Sequence, residues 1–306
     1  MILDGTLYLI GAAVVLKSLY DFAYFVTLYL SAPSVHRYLH GKAPYALITG
    51  ATDGIGKATA KELYKRGFNI ILHGRNPDKL RQVEEELSKL GNKDVKLWVE
   101  DACRDSIDFG TAVAQWEGLE ITLVVHNVGG VVVRAERIDQ VPEDVVRNEL
   151  KLNATFPLLL SRAVLPKLRA AAASGPTGMV FLSTLARTHD LLRLIPYAPS
   201  KAFLIRLSGC LGLDERFWAP TRVETCAVVV GSVVSAGHRV AGGFFSPSAE
   251  RYAGVLVDRF GCGRAVVTPY WPHAVQNWVI GLLPKRMFER AVSQTIREEI
   301  EAAKKA

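Results

Sequence analysis

Tyr197 and Lys201, in the run Pro196-Tyr-Ala-Pro-Ser-Lys201, stand four residues apart. On a helix this spacing puts both side chains on one face, with an ammonium beside a phenol. A phenol has an ordinary pKa of about 10 and is a poor acid at neutral pH. A neighbouring cation favours the phenolate and lowers that value. A tyrosine tuned in this way can pass a proton to a carbonyl oxygen as its carbon is reduced. The spacing is common on helix surfaces, so its meaning depends on what stands upstream.

Upstream, the apolar run Tyr45–Ile48 leads into Thr49-Gly-Ala-Thr-Asp-Gly-Ile-Gly56 and then Lys57-Ala-Thr-Ala-Lys-Glu-Leu63. Glycines at 50, 54 and 56 permit a tight turn and a close approach of backbone to a pyrophosphate, whose charge meets the helix amides. Gly50, Thr52, Asp53, Gly54, Ile55 and Gly56 are therefore candidate cofactor-binding residues. The second apolar run ends in His73-Gly-Arg75-Asn76. An acidic residue at such a place suits a ribose 2′-hydroxyl, whereas an arginine suits a 2′-phosphate, so Arg75 points to NADP(H).

These groups need a frame. Short apolar runs at Tyr45–Thr49, Asn69–His73, Val95–Val99, Ile121–His126, Met179–Leu182, Glu224–Val230 and Ala265–Pro269 read as strands. Helical patterns over Gly56–Arg66, Pro77–Leu90, Pro142–Ala172 and Tyr197–Glu215 separate them. Apolar strands alternating with helices predict an α/β fold, a doubly wound parallel sheet of the Rossmann type. Ligands then bind beyond the carboxyl ends of the strands. A chain of 306 residues with 49% hydrophobic residues suits one large domain. No repeat or low-complexity linker divides it. Cys103, Cys210, Cys226 and Cys262 lack metal-ligand spacing, which predicts reduced thiols and no metal site. The net charge of +7 suits an anionic cofactor, a CoA-type substrate or an anionic membrane surface, and no nucleic-acid motif accompanies it.

Residues 5–32 differ from the rest. Gly5–Leu16 is uncharged, Lys17 and Asp21 follow at pairing distance, and Phe22–Leu30 is again apolar. The stretch exceeds the ~20 helical residues needed to cross a bilayer. Tyrosines at 8, 20, 24 and 29 suit interfacial anchoring. A tilted spanning helix and a helix embedded in one leaflet both fit, whereas a cleavable signal fits poorly. His36, Arg37, His40 and Lys42 follow the segment, and the positive-inside rule puts the body of the chain in the cytosol. The expected partition is a membrane anchor over 1–35, a catalytic domain over 43–270, and an apolar, then charged, extension over 271–306.

Together these residues resemble the short-chain dehydrogenase/reductase family over nearly all of residues 44–270. Thr49–Gly56 is similar to the family's glycine loop, and Tyr197 with Lys201 to its active-site pair. His126-Asn127-Val128-Gly129 looks like the segment that supports the sheet near the cofactor. The resemblance implies that Asp101 and Ala102 contact adenine, that Val230 at the end of the sixth strand flanks the cofactor, and that Lys201 binds nicotinamide-ribose hydroxyls. It also implies that Asn153 holds a proton-relay water. The family's serine falls at Thr184, with Ser183 one residue earlier, and either hydroxyl can serve as the catalytic one. The family's Pro-Gly after the sixth strand is replaced by Gly231-Ser232.

The anchor, Arg66-Gly-Phe-Asn69 and the apolar Pro269–Pro284 further resemble microsomal very-long-chain 3-oxoacyl-CoA reductases and 17β-hydroxysteroid dehydrogenases. This implies an endoplasmic-reticulum oxidoreductase of lipid metabolism, in fatty acid biosynthesis or steroid conversion, that reduces a lipophilic ketone or acyl-CoA with NADPH. A homodimer through Tyr197–Glu215 is in keeping with the family. Ser232–Arg264, with Ala241-Gly-Gly-Phe-Phe-Ser246, suits a mobile apolar substrate cover. The alternatives are a terpenoid or polyketide ketone reductase, or a weakly catalytic cofactor-binding scaffold in a lipid-synthesis complex.

Overall fold

The computed structural model describes residues 2–130, 133–185, 192–218, 220–235 and 241–305, with the side chains of residues 2–4, 299 and 302–305 left aside. The chain divides into two compact units, Met1–Pro33 and Ser34–Ala306. The first holds α1 (Ile2–Leu30), within which Gly5–Leu30 is long and apolar enough to cross a membrane. Lys17 and Asp21, one turn apart, form an ion pair of 2.6 Å, which offsets the cost of charge in an apolar segment.

The second unit alternates strands and helices: β1 (Pro44–Thr49), α2 (Gly54–Lys65), β2 (Asn69–Gly74), α3 (Pro77–Ser88), β3 (Val95–Val99), α4 (Phe109–Ala114), β4 (Glu120–His126), α5 (Glu143–Leu150), α6 (Phe156–Ala171), β5 (Thr177–Thr184), α7 (Tyr197–Leu213), β6 (Val223–Val230), α8 (Ala249–Asp258), β7 (Val266–Val267), α9 (Trp271–Leu282) and α10 (Lys285–Lys305). The seven strands form one parallel sheet in the order β3-β2-β1-β4-β5-β6-β7. The order reverses direction between β1 and β4, which opens a crevice at their carboxyl ends. Every predicted strand is present, although β7 keeps only two residues of the expected Ala265–Pro269. Proline has no N–H to offer the ladder, so Pro269 cannot extend this edge.

The core is a continuous apolar layer that includes Leu47, Ile71, Trp98, Val124, Phe156 and Phe181. Two histidines lie inside it. His73 packs against Trp98 and Phe156 at 4.4 and 5.0 Å, and His126 stacks on Phe181 at 4.6 Å. Burial pushes both imidazoles down to about 3, so both are neutral at physiological pH.

The pattern Pro142–Ala172 does not form one regular helix. α5 and α6 are joined by a widened turn over Lys151–Thr155. Pro157 supplies no N–H to that turn. The side-chain amide of Asn153 donates instead to the carbonyl of Glu149 at 3.0 Å, capping an oxygen that a regular helix would satisfy with backbone.

Candidate active site

Thr49, the last residue of β1, organises the crevice floor. Its hydroxyl accepts from the N–H groups of Asn127 and Val128, each at 3.0 Å, and donates to the carbonyl of Val125 at 3.3 Å. The Asn127 amide donates to the carbonyls of Thr49 and Gly50 at 2.9 and 3.1 Å. The end of β4 is thereby tied to the glycine turn. Gly50 and Gly54 have φ of +66° and +52°, in the left-handed region that favours glycine. At Gly56 the constraint is spatial, because a Cβ there would lie 2.1 Å from the Gly50 carbonyl and 2.4 Å from the Asn127 amide. Asp53 caps α2 by accepting from the Gly54 N–H at 2.6 Å. Thr52 lies against Gly74, where a Cβ would meet its methyl at 2.7 Å. Ile55 is half-buried in the first turn of α2.

Arg75 follows β2 directly, is exposed, and makes no ion pair among the described residues. Asp101 accepts from the Cys103 N–H at 3.0 Å and so shapes the turn after β3, with Ala102 buried beneath. A bare glycine turn entering a helix, with an unpaired arginine after β2, fits a dinucleotide carrying a 2′-phosphate. Among the described residues no group of three or more His, Cys, Asp or Glu side chains can hold a metal ion. The four cysteines are free thiols.

Tyr197 opens α7. The Thr184 side chain, at the end of β5, acts on its phenol. Ser183 points elsewhere, its buried hydroxyl donating to the carbonyl of Lys201 at 2.7 Å. Alternation along a strand explains the difference between these neighbours. Lys201 is buried, with Nζ 5.7 Å from the centre of the Tyr197 ring and donating to the Leu182 carbonyl at 3.2 Å.

The electrostatics differ from the sequence expectation. Burial lifts the Tyr197 phenol above its ordinary value, and the Thr184 side chain opposes that rise only in part. Burial also pulls the Lys201 ammonium down to about 8. The cation sits over the ring while desolvation acts on both groups, so the predicted lowering of the tyrosine pKa is not found.

Asn153 is fully buried, and its amide is committed to backbone. Its Oδ1 accepts from the Gly130 N–H at 3.1 Å, and its Nδ2 donates to the carbonyls of Gly130 and Glu149, both at 3.0 Å. A Cβ on Gly129 would lie 2.7 Å from Lys201 Nζ and 2.8 Å from Asn153 Oδ1, so all three residues meet at one point. In this arrangement the Asn153 side chain anchors the segment after β4.

The exit of β6 holds a residue that the sequence did not single out. Val230 is buried, and the next residue, Gly231, donates its N–H to Nδ1 of His273 at 3.2 Å. Nε2 of His273 donates to the carbonyls of Ser232 and Phe245, at 3.1 and 3.0 Å. Tyr270 donates its hydroxyl to the Phe244 carbonyl at 2.9 Å. Residues 236–240 of the expected cover lie outside the described residues. The part over Ala241–Ser246 is clamped: Gly243 and Ser246 exchange N–H···O bonds of 3.0 and 3.1 Å, and the start of α9 holds the loop from below. The only sequence signal for His273 was a lone imidazole in an uncharged stretch, and nothing marked its partner 42 residues upstream.

Residues 44–240 match the family model described as short chain dehydrogenase. The chain is similar to a very-long-chain 3-oxoacyl-CoA reductase of Kluyveromyces lactis, 32% identical over 261 residues, covering 82% of this chain and 75% of that protein. It is also similar to putative steroid dehydrogenase 3 of Caenorhabditis elegans, 29% identical over 303 residues, covering 96% of this chain and 94% of the other. Among solved structures, a short-chain dehydrogenase from Sphingobium yanoikuyae in complex with NADPH superimposes with a TM-score of 0.64 at 20% identity, covering 79% of this chain and 97% of that one.

Proposed function

Because this chain belongs to the short chain dehydrogenase family, whose members are oxidoreductases that bind nicotinamide cofactors, we propose that it reduces a lipophilic ketone with NADPH. A long-chain 3-oxoacyl-CoA is the first candidate substrate and a steroid-like ketone the second. The observation that carries the reading is buried Lys201 with its Nζ over the Tyr197 ring, at the carboxyl end of β5 where Thr184 stands. The named relatives support the two substrate classes in that order.

The glycine turn from Gly50 to Gly56 would hold the cofactor's pyrophosphate, and Arg75 its 2′-phosphate. Asp101, Ala102, Asn127 and Val230 would line its remaining length, and Lys201 would meet its ribose. When bound, the nicotinamide supplies hydride chemistry. The protein holds and moves the proton. A phenol whose pKa lies above its ordinary value stays protonated at neutral pH, which is the state required of a donor to a ketone oxygen. The Thr184 hydroxyl would orient that oxygen. Ser183 and Asn153 act as positioning residues, through the Lys201 carbonyl and the Gly130 backbone.

The partition proposed is an anchor over 1–35, a catalytic domain over 43–270 and an extension over 271–306. α1 attaches the chain to the endoplasmic-reticulum membrane with the catalytic domain facing the cytosol. The test is NADPH consumption by the full chain in detergent, across long 3-oxoacyl-CoAs, steroid ketones and terpenoid ketones. Tyr197→Phe is expected to lose on the order of 10²–10⁴-fold in kcat, the range attributed to a positioned acid. NADPH binding without turnover of any ketone would replace this reading with a cofactor-binding scaffold.

A further inference from the structure

The stretch Trp271–Leu283 carries no acidic or basic residue other than His273. Helical geometry divides α9 into two faces. His273 turns inward and is buried. Trp271, Trp278, Val279 and Leu282, spaced by one turn or two, share the other face and remain 48%, 65%, 46% and 64% exposed. Phe244 and Phe245 extend it. The Phe244 ring meets Trp271 edge-on at 5.3 Å and Phe245 at 5.0 Å. The hydrogen bonds from Tyr270 to Phe244 and from His273 to Phe245 fix the loop and the helix as one body. Leu283 and Met287, next along the chain, are exposed as well.

So many large apolar side chains on one continuous face mark an interaction surface rather than a solvated one. The surroundings identify the partner. Two indoles sit on the face, and tryptophan concentrates where hydrocarbon meets headgroups. Cations flank it: Lys285 and Arg286 follow at once, and the Arg251 guanidinium stacks over Tyr270 at 5.7 Å. Glu250 and Glu289 are the nearby acids in sequence, and Glu289 is paired with Lys285 at 3.6 Å. An uncharged helical face bordered by cations is complementary to an anionic lipid surface.

We propose that the α9 face, together with Phe244 and Phe245, docks in the headgroup–acyl boundary of an anionic bilayer. The inference rests on the membrane attachment proposed for α1, and it adds a second contact. Its consequence concerns substrate. The loop that follows β6 then faces the acyl layer, so a lipophilic ketone reaches the protein from lipid without crossing water.

The test places the full chain, as Trp218→Phe, in phosphatidylcholine–phosphatidylserine vesicles whose acyl chains carry bromine. The substitution removes the exposed indole outside the face, since Trp98 and Trp116 are buried. Flotation first reports whether the chain is bound at all. Brominated lipid is expected to quench indole emission by about half, because indoles at the boundary lie within reach of the acyl chains. Trp271→Phe combined with Trp278→Phe should abolish that quenching without changing flotation. Three results overturn the proposal. Flotation with Trp271 and Trp278 quenched by aqueous iodide instead refutes the docking face alone. Protection from both quenchers with a cross-linked dimer assigns the face to a second copy of the chain. Absence of flotation removes the α1 anchor together with this inference.

Discussion

The imidazole of His273 occupies the space in which a side chain at residue 231 would stand. A Cβ on Gly231 would lie 2.6 Å from the ring, and the Gly231 N–H donates to that ring at 3.2 Å. Gly231 and Ser232 replace a Pro-Gly pair expected from the family resemblance. Proline stiffens a chain by fixing φ, whereas glycine does the reverse. Here the rigidity comes from a distant histidine that grips two consecutive residues after β6 and one residue of the following loop.

The coupling of this pair predicts strong non-additivity. His273→Ala leaves the Gly231 N–H without its acceptor, at a cost of about 1–3 kcal/mol. Gly231→Ala alone drives a methyl into the ring and should destabilise by a similar amount. Combined, the two are expected to cost less than their sum, because the truncated ring makes room for the methyl. Unfolding midpoints of the four proteins close the cycle, and simple additivity would contradict the contact.

Thr184 and Ser183 separate cleanly by consequence. Thr184→Ala removes the hydroxyl that meets Tyr197, and kcat is expected to fall about 10²-fold, as for loss of one oxyanion donor. Thr184→Ser should restore most of it. Ser183→Ala removes a buried bond to the Lys201 carbonyl and should lower stability by roughly 1 kcal/mol with a smaller effect on kcat. Steady-state kinetics beside thermal unfolding distinguishes the two patterns, and the reverse ranking would assign the chemistry to Ser183.

The sequence carried the frame because its signals are local. Three glycines before a helix, apolar runs with period, and a tyrosine four residues from a lysine need no long-range knowledge. What escaped was set by tertiary packing. The phenol pKa depends on burial and on the neighbouring Thr184 side chain, which helix spacing alone does not give. Asn153 satisfies Gly130 through a widened turn that Pro157 favours, so its polar atoms were spent on backbone. His273 meets Gly231 only because α9 folds back beneath β6.

Arg75 should govern the choice between the two nicotinamide dinucleotides. It is exposed and unpaired among the described residues, so replacing it disturbs no ion pair of the fold. Arg75→Gln is expected to weaken NADPH binding by about 10–100-fold, the worth of one or two charge-assisted hydrogen bonds. NADH binding should change little. Equilibrium titrations of cofactor fluorescence with both dinucleotides check this, and equal losses for the two would point to a general effect on the crevice.

The buried histidines make the fold acid-sensitive. His73 and His126 fall from the ordinary 6.5 to about 3 because burial excludes the charged ring. Between those values the unfolded chain binds protons that the folded chain refuses. Stability therefore rises with pH across this window and is lost as pH falls from 6.5 toward 3. His126 stacks on Phe181 and bonds the Ser161 hydroxyl at 3.0 Å, so His126→Phe with Ser161→Ala substitutes an apolar pair for a polar one. That double variant should flatten the dependence of the unfolding free energy on pH by the uptake of about one proton. Denaturant unfolding of both proteins between neutral pH and pH about 4.5 supplies the slopes, and identical slopes would show that the His126 imidazole takes up its proton as readily in the folded chain as in the unfolded one.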